Sequence, residues 1–415
     1  MDRSEILTKI DNPQQLEKLY RDNKTAFKTE FNLLYPELRD NKLADYWNER
    51  LNYESSEISW GSNKELIFVI IASLLAGLIA KLPAFLNTDP ELFYQRNIGF
   101  IIFPILTIYF IWRKSLSTKK IVFAFVATLI ALVFINILPE INKSNTLILS
   151  CIHLPIFLWA VLGFTYVGDN IGNYPKRLDF LRYNGDLVIM TGLILIAGAM
   201  LTGITIGLFS VIGLKIEQFY FDYIGIFGLA AAPILGTYIT QTNPQLVNKV
   251  SPVIAKIFSP LVLIMLVVYL VAIFFSGKNP YQDREFLIIF NFLLIGVMAI
   301  ILFSVAETFK KNENRTSSFI LLALSIVTVI VNGIALSAIL FRIAEWGITP
   351  NRLAVLGANI LMLANLFIVT FRLFKNVSKK ADISEVENSM SMFLPIYILW
   401  TIIVIFIFPL IFHFN

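Results

Sequence analysis

The chain is 415 residues long and 57% hydrophobic, with only 15% of its residues charged. Soluble domains are about 45–50% apolar and about 25% charged, so a chain with a mean hydropathy of +0.71 needs the bilayer as part of its solvent. One cysteine, Cys151, and two histidines, His153 and His413, exclude an intramolecular disulfide and a zinc, haem or iron–sulfur ligand set, so no metal or cofactor is expected. The formal charge of +5 comes from basic residues scattered between apolar blocks, which excludes a nucleic-acid surface.

In chain order, the first sixty residues hold no apolar core of signal-peptide length, so they are expected to be retained. Asn12 is a good N-cap and Pro13 suits a first helical turn, which predicts a helix there. Phe27, Phe31 and Leu34, and then Leu43, Tyr46, Trp47 and Leu51, recur at three- and four-residue spacing and predict two more amphipathic helices. Residues 1–60 therefore read as a small cytoplasmic helical cap, and 61–415 as a membrane domain.

Apolar runs follow, each weighed against the roughly 20 residues that cross a hydrocarbon core. Six lie at Leu66–Leu86, Ile98–Trp112, Ile121–Leu138, Thr146–Val167, Leu187–Leu214 and Tyr223–Thr240. Five more lie at Ile257–Phe275, Phe286–Val305, Phe319–Phe341, Leu353–Phe374 and Met392–Phe412. The expected fold is all-α, a polytopic transmembrane bundle of about eleven helices. Ile98–Trp112 is the weakest segment, short and carrying Pro104, and can be read as re-entrant. Lys81, inside the first segment, is expected to snorkel to the surface.

Cytoplasmic loops carry the Lys and Arg excess of a multi-pass protein. With eleven crossings, loops 113–120, 176–182, 249–256, 310–315 and 372–380 hold sixteen basic residues, and the opposite set holds eight. This puts the N-terminus in the cytoplasm and Asn415 on the far side of a plasma (inner) membrane.

Association in lipid rests on small-residue packing and interhelical hydrogen bonds. Ala72, Ala76 and Ala80, and Ala199, Gly203 and Gly207, form two small-residue stripes, read as intrachain packing faces. Asn291, Asn332, Asn359 and Asn365 interrupt apolar helices and are expected to face the interior as structural bridges.

Three sets of residues are candidates for function. In the sixth segment, Pro233 lies among Gly228, Ala230–Ala232 and Gly236, ahead of Thr237, Tyr238 and Gln241. A proline kink followed by polar groups could line a cavity, so Pro233, Thr237, Tyr238 and Gln241 are the candidate lining. A plain packing kink is the competing reading. Asp169, Arg177, Arg182 and Asp186 form a mixed-charge cytoplasmic loop suited to an anionic head group or a partner, or simply a solvated connector. The stretch from Arg342 to Arg352 predicts a compact hairpin. There Thr349 or Asn351 would cap the next helix, Glu345 would pair with Arg342 or Arg352, and Trp346 would sit at the membrane interface. Arg342, Glu345, Trp346, Asn351 and Arg352 are its candidates, with structural locking as their reading.

At this hairpin the chain resembles a family of uncharacterised bacterial multi-pass membrane proteins, a domain of unknown function (DUF4153-like). Three pieces carry the resemblance: Glu345-Trp346-Gly347-Ile348-Thr349-Pro350-Asn351-Arg352, Arg182-Tyr183-Asn184-Gly185-Asp186-Leu187, and Leu16-Glu17-Lys18-Leu19-Tyr20-Arg21 followed by Phe27. The resemblance implies a bacterial inner-membrane protein and carries no reaction or ligand.

No serine–histidine pairing, phosphate loop or paired-carboxylate pattern points to an enzyme. The leading functional reading is a transport-like or lipid-handling bundle of unknown substrate, whose partner is the bilayer. The second is a sensor or assembly protein whose cap, residues 1–60, recruits a cytoplasmic protein.

Overall fold

A computed structural model describes residues 3–22, 24–38, 41–52, 61–139, 144–168, 172–211, 215–244, 246, 259–264, 266–268, 270–271, 281, 284–308, 315–378 and 383–414. The described residues are almost wholly helical and divide into two compact units, Met1–Ile58 and Ser59–Asn415.

The first unit holds α1 (Arg3–Thr8), α2 (Pro13–Asp22), α3 (Lys24–Leu34) and α4 (Lys42–Asn52). As the sequence predicts, Asn12 Oδ1 caps α2, accepting from the Gln15 amide at 3.2 Å. The apolar stripes close on one another, so that Ile6, Leu16, Phe27, Phe31, Leu34 and Ala44 are fully buried. Tyr46 is the exception, 71% exposed on the outer side of α4.

The second unit holds α5 (Asn63–Leu86), α6 (Pro90–Lys114), α7 (Thr118–Ile137), α8 (Asn145–Val167), α9 (Tyr174–Val211) and α10 (Glu217–Thr242). A shorter apolar helix, Ser259–Val268, precedes α11 (Arg284–Thr308), α12 (Arg315–Trp346), α13 (Pro350–Val377) and α14 (Ile383–Met392). The last span comprises α15 (Leu394–Ile402), a π-helical turn (Ile403–Ile407) and α16 (Phe408–Ile411). Nine helices among the described residues are long and apolar enough to cross a membrane. The chain is a multi-pass membrane protein.

Several expectations are corrected. Ile98–Trp112 lies within an unbroken 25-residue helix, about 37 Å long at 1.5 Å per residue, which reaches from end to end of the bundle. Asp89 caps it through the Glu91 amide at 2.9 Å, and Pro90 fills its first turn. Pro233 does not break α10; the irregular backbone lies earlier, in a π turn at Tyr220–Gly225. Lys81 is only 8% exposed, its ammonium lying 4.5 Å from the Tyr223 ring centroid rather than free at the surface. Helix α14, with its acidic side chains, replaces what reads in sequence as loop.

Polarity is reversed relative to the cap. Leu75, Ile130, Ile204 and Phe371 face outward, while Ser150, Thr165, Thr328, Asn332, Asn359 and Asn365 are fully buried. Small residues let helices approach: Gly77 is covered by the Phe227 ring and Gly357 by Trp400, so closely that a Cβ at either would lie about 2 Å from ring carbon. Ala72, Ala76 and Ala80 are buried as expected, but Ala199 and Gly203 face outward. The burial of Gly207 lies outside what is described.

Helices α5, α6, α8 and α10 share one apolar core with the start of α9; α11, α12, α13 and α14 share another. The last span joins the two against α8, where Ser150 Oγ donates to the Ile405 carbonyl at 3.0 Å and Leu149, Ala354, Val404 and Phe408 pack together.

The two ends differ in charge. At one end Arg113 donates to the Gln241 carbonyl (3.0 Å), Lys114 and Lys120 to the carbonyls of Tyr166 and Gly168, and Arg372 to Glu385. These are the loops of the basic-rich set. At the other end Tyr94 donates to the Ala80 carbonyl (2.8 Å), Asn351 to Asn145 (2.7 Å) and Arg342 to the Tyr281 carbonyl (3.0 Å). Of the expected Ile257–Phe275 segment, the described residues form the shorter apolar helix Ser259–Val268, and the rest lies largely outside the described residues. Phe286–Val305 falls within α11.

Candidate functional sites

The sixth-segment candidates join residues that sequence spacing does not connect. Ser62 caps α5 by accepting from the Glu65 amide at 3.2 Å. The Glu65 carboxylate lies beneath Tyr109, whose hydroxyl donates to Oε1 at 2.6 Å, and Arg113 closes the cluster by pairing with Glu65 and donating to the Tyr109 hydroxyl at 2.7 Å. The other arm of Arg113 reaches the Gln241 carbonyl at the C-terminal end of α10, where the helix dipole favours a cation. Thr237 and Tyr183 share a hydrogen bond of 2.8 Å and are almost wholly buried. Tyr238 is 3% exposed in the same core. Pro233 contributes its carbonyl to the Thr237 hydroxyl at 2.9 Å. These four residues thus lie in a packed interface of α5, α6, α9 and α10. Phe110, Tyr166, Phe180 and Tyr183 stack beside them, with the Lys114 ammonium 3.8 Å from the centroid of the Tyr166 ring.

The mixed-charge loop is mostly helix. Asn173 Oδ1 accepts from the Lys176 amide at 3.2 Å, and Tyr174-Pro175 opens α9, so Arg177, Arg182 and Asp186 sit on its first turns rather than in a connector. At Gly185 the helix passes close under the Phe303 ring, which an added Cβ would meet at 2.0 Å. Arg182 bridges Asp179 (3.0 Å) and Glu387 (2.9 Å), and Arg177 donates to the Ser391 carbonyl at 3.4 Å, tying α9 to α14. Asp169 lies outside the described residues.

The hairpin is built from main-chain contacts. Thr349 Oγ1 is the cap, accepting from the Arg352 amide at 3.3 Å, and Asn351 instead reaches Asn145 on α8. Arg352 donates to the Trp346 and Gly347 carbonyls at 2.9 and 2.7 Å, and both Arg342 and Arg352 lie over the Trp346 ring. Glu345 is exposed and enters no ion pair among the described residues, contrary to expectation. Arg352 is held instead by carbonyls at the C-terminus of α12, and Arg342 by the Tyr281 carbonyl.

Sequence reading missed a groove of about 560 Å³. Leu129, Val133, Phe134 and Ile137 of α7 form one wall, and Leu410 and Phe414 of the chain's end form the other. Its lining is almost entirely apolar. The last turn is fixed by two left-handed residues, His413 (φ 51°) and Phe414 (φ 64°), and by Ser144 Oγ donating to the Phe414 carbonyl at 2.7 Å. Behind the groove, Phe406 of the π turn packs on Phe134 at 4.8 Å between centroids. No local signal marks this groove, because its residues are ordinary lipid-facing ones brought together by distant segments.

Among the described residues no three or more His, Cys, Asp or Glu side chains gather where they could hold a metal ion. No protein-family model, curated protein or solved structure matches the chain.

Proposed function

We propose that the protein handles lipid, taking a single acyl chain from the bilayer into the groove between α7 and the last span. The groove itself carries this reading: it is apolar, open on the lipid-facing side of α7, and within the usual volume range of small-molecule sites, about 300–1,000 Å³. A π turn beside it fits, since such turns concentrate at functional sites. A phospholipid carrying a photoreactive acyl chain tests the reading in reconstituted protein. Labelling concentrated on Phe134 and Leu410 is expected, and Val133→Trp should remove it. Equal labelling of Leu75, Ile204 and Phe371 would reduce the groove to ordinary lipid contact.

Loop charge supports an N-terminus in the cytoplasm and a C-terminus outside, and the resemblance supports a bacterial inner membrane. A reporter fused to residue 1 and found outside the cell would overturn that orientation.

A second reading rests on the cap having its own core, distinct from the bundle. A groove of about 660 Å³ on it, lined by Pro13, Glu17, Arg21, Tyr46, Trp47 and Arg50, mixes aromatic and charged groups suited to a protein segment. Removal of residues 1–60 separates the readings: lipid labelling that persists favours the bundle, and loss of a captured cytoplasmic protein favours the cap.

A further inference from the structure

Four helix ends meet where α6 turns into α7 and α8 into α9. Lys114 closes α6 and Lys120 lies in the first turn of α7, and both reach the C-terminal end of α8. Lys114 donates there to the Tyr166 carbonyl and Lys120 to the Gly168 carbonyl. Their ammonium groups also lie over rings of that helix, 3.8 Å from the Tyr166 centroid and 5.1 Å from that of Phe164. Lys176, in the first turn of α9, is close enough for its charge to repel that of Lys114, which Asp179 attracts. Three lysines from three helices are thereby held around one helix end.

The neighbouring carboxylates are already engaged. Asp179 pairs with Arg182, and Glu65 with Arg113 and the Tyr109 hydroxyl. Lys114 and Lys176 are exposed and enter no ion pair among the described residues. Lys119 adds another exposed cation, and Ser117, at the N-cap of α7, accepts from no first-turn amide, so the positive end of that helix dipole adds to the field. The C-terminal dipole of α8 offsets only about half an elementary charge, which leaves a surplus of positive charge. Arg177 and Arg182 belong to a different contact, since they tie α9 to α14.

The surroundings select a lipid over a soluble anion. Trp112, two residues before Lys114 and 43% exposed, lies flat on Phe68 at 5.3 Å, an aromatic group at the level where head groups sit. Val122, Phe123 and Val126 follow Lys119 at spacings of three, four and seven on one face of α7, and all three are exposed. A phosphate among the lysines therefore has apolar helix surface directly beneath it for an attached chain, and a free anion gains nothing from that surface.

We propose that the ends of α6, α7, α8 and α9 form a head-group site for an anionic phospholipid, with its phosphate among Lys114, Lys120 and Lys176 and an acyl chain along the exposed face of α7. The site lies at the opposite end of α7 from the groove and does not depend on it.

Titration of the full chain in neutral detergent with dioctanoyl phosphatidylglycerol, followed by melting temperature, tests the site against dioctanoyl phosphatidylcholine and inorganic phosphate. Only the anionic lipid is expected to raise the melting temperature, with an apparent affinity that falls as salt is added. Lys176→Gln should weaken that affinity about fivefold, and the double variant with Lys114→Gln about twenty-five-fold. Lys215→Gln, at an exposed lysine before α10 on the other end of the bundle, should leave it unchanged. If the double variant does not fold, Lys176→Gln against Lys215→Gln decides alone. Equal stabilisation by phosphatidylcholine, an equal loss in Lys215→Gln, or inorganic phosphate binding as tightly as the lipid would overturn the site.

Discussion

The cap and the bundle are both helical, yet they solve opposite problems. In the cap, Phe27, Phe31 and Trp47 stack inside while Glu17, Arg21 and Arg50 pair at the surface, the arrangement water enforces. In the bundle, leucines and isoleucines stand outside and amides and hydroxyls lie within. The same residue type therefore stabilises one unit and destabilises the other according to the face it occupies. Composition alone cannot reveal this, because it averages the two.

The largest test of the contrast is in the cap core. Phe27→Ala should cost about 3–5 kcal/mol, enough to expose residues 1–58 to protease while the bundle resists digestion. The same digestion leaving the cap intact would show that its core does not depend on Phe27.

A matched pair of surface changes comes next. Leu75→Arg, at the middle of α5, should lower the folded membrane yield with a penalty of about 2.5–3.5 kcal/mol. Leu33→Arg, on a cap position of similar exposure, should change protease resistance by no more than about 0.5 kcal/mol. Equal effects would erase the distinction between the two solvents.

Ser62→Ala should cost about 1 kcal/mol through loss of the α5 cap, read as a lower melting temperature of the bundle. Asn12→Ala tests the same device in the cap.

The smallest expected effect is on acid stability. The Arg21 side chain hydrogen-bonded to Glu17, assisted by Arg50, holds that carboxyl below its ordinary range. Its contribution is present above the ordinary carboxylate value and is lost as pH falls through the depressed one. Glu17→Gln should flatten the acid limb of the cap's unfolding curve and leave that of the bundle unchanged.

Much of this fold is legible in the sequence because lipid imposes long uncharged runs, and Leu66–Leu86 or Leu353–Phe374 cannot be read otherwise. The alternation of loop charge is legible for the same reason. Helix α14 is not, since ten residues with Glu385, Glu387 and Asn388 resemble a polar connector until Arg182 and Arg372 engage the acids. The start of α9 is misread because Gly185 and its charged neighbours suggest a turn, and the Phe303 ring that covers the glycine comes from far along the chain. Of the candidate residues, Thr237 and Gln241 stand out in sequence by their place after Pro233, but the structure packs them into an interface rather than around a cavity. Their partners Glu65, Tyr109, Arg113 and Tyr183 do not, because no periodicity links separate helices.

Helix α9 carries one mechanical consequence. At 38 residues it is about 57 Å long, well beyond a hydrocarbon layer of about 30 Å, and no proline interrupts it after Pro175. Its packed start, tied to α14 through Arg182 and Glu387, therefore carries an exposed far half as one continuous rod.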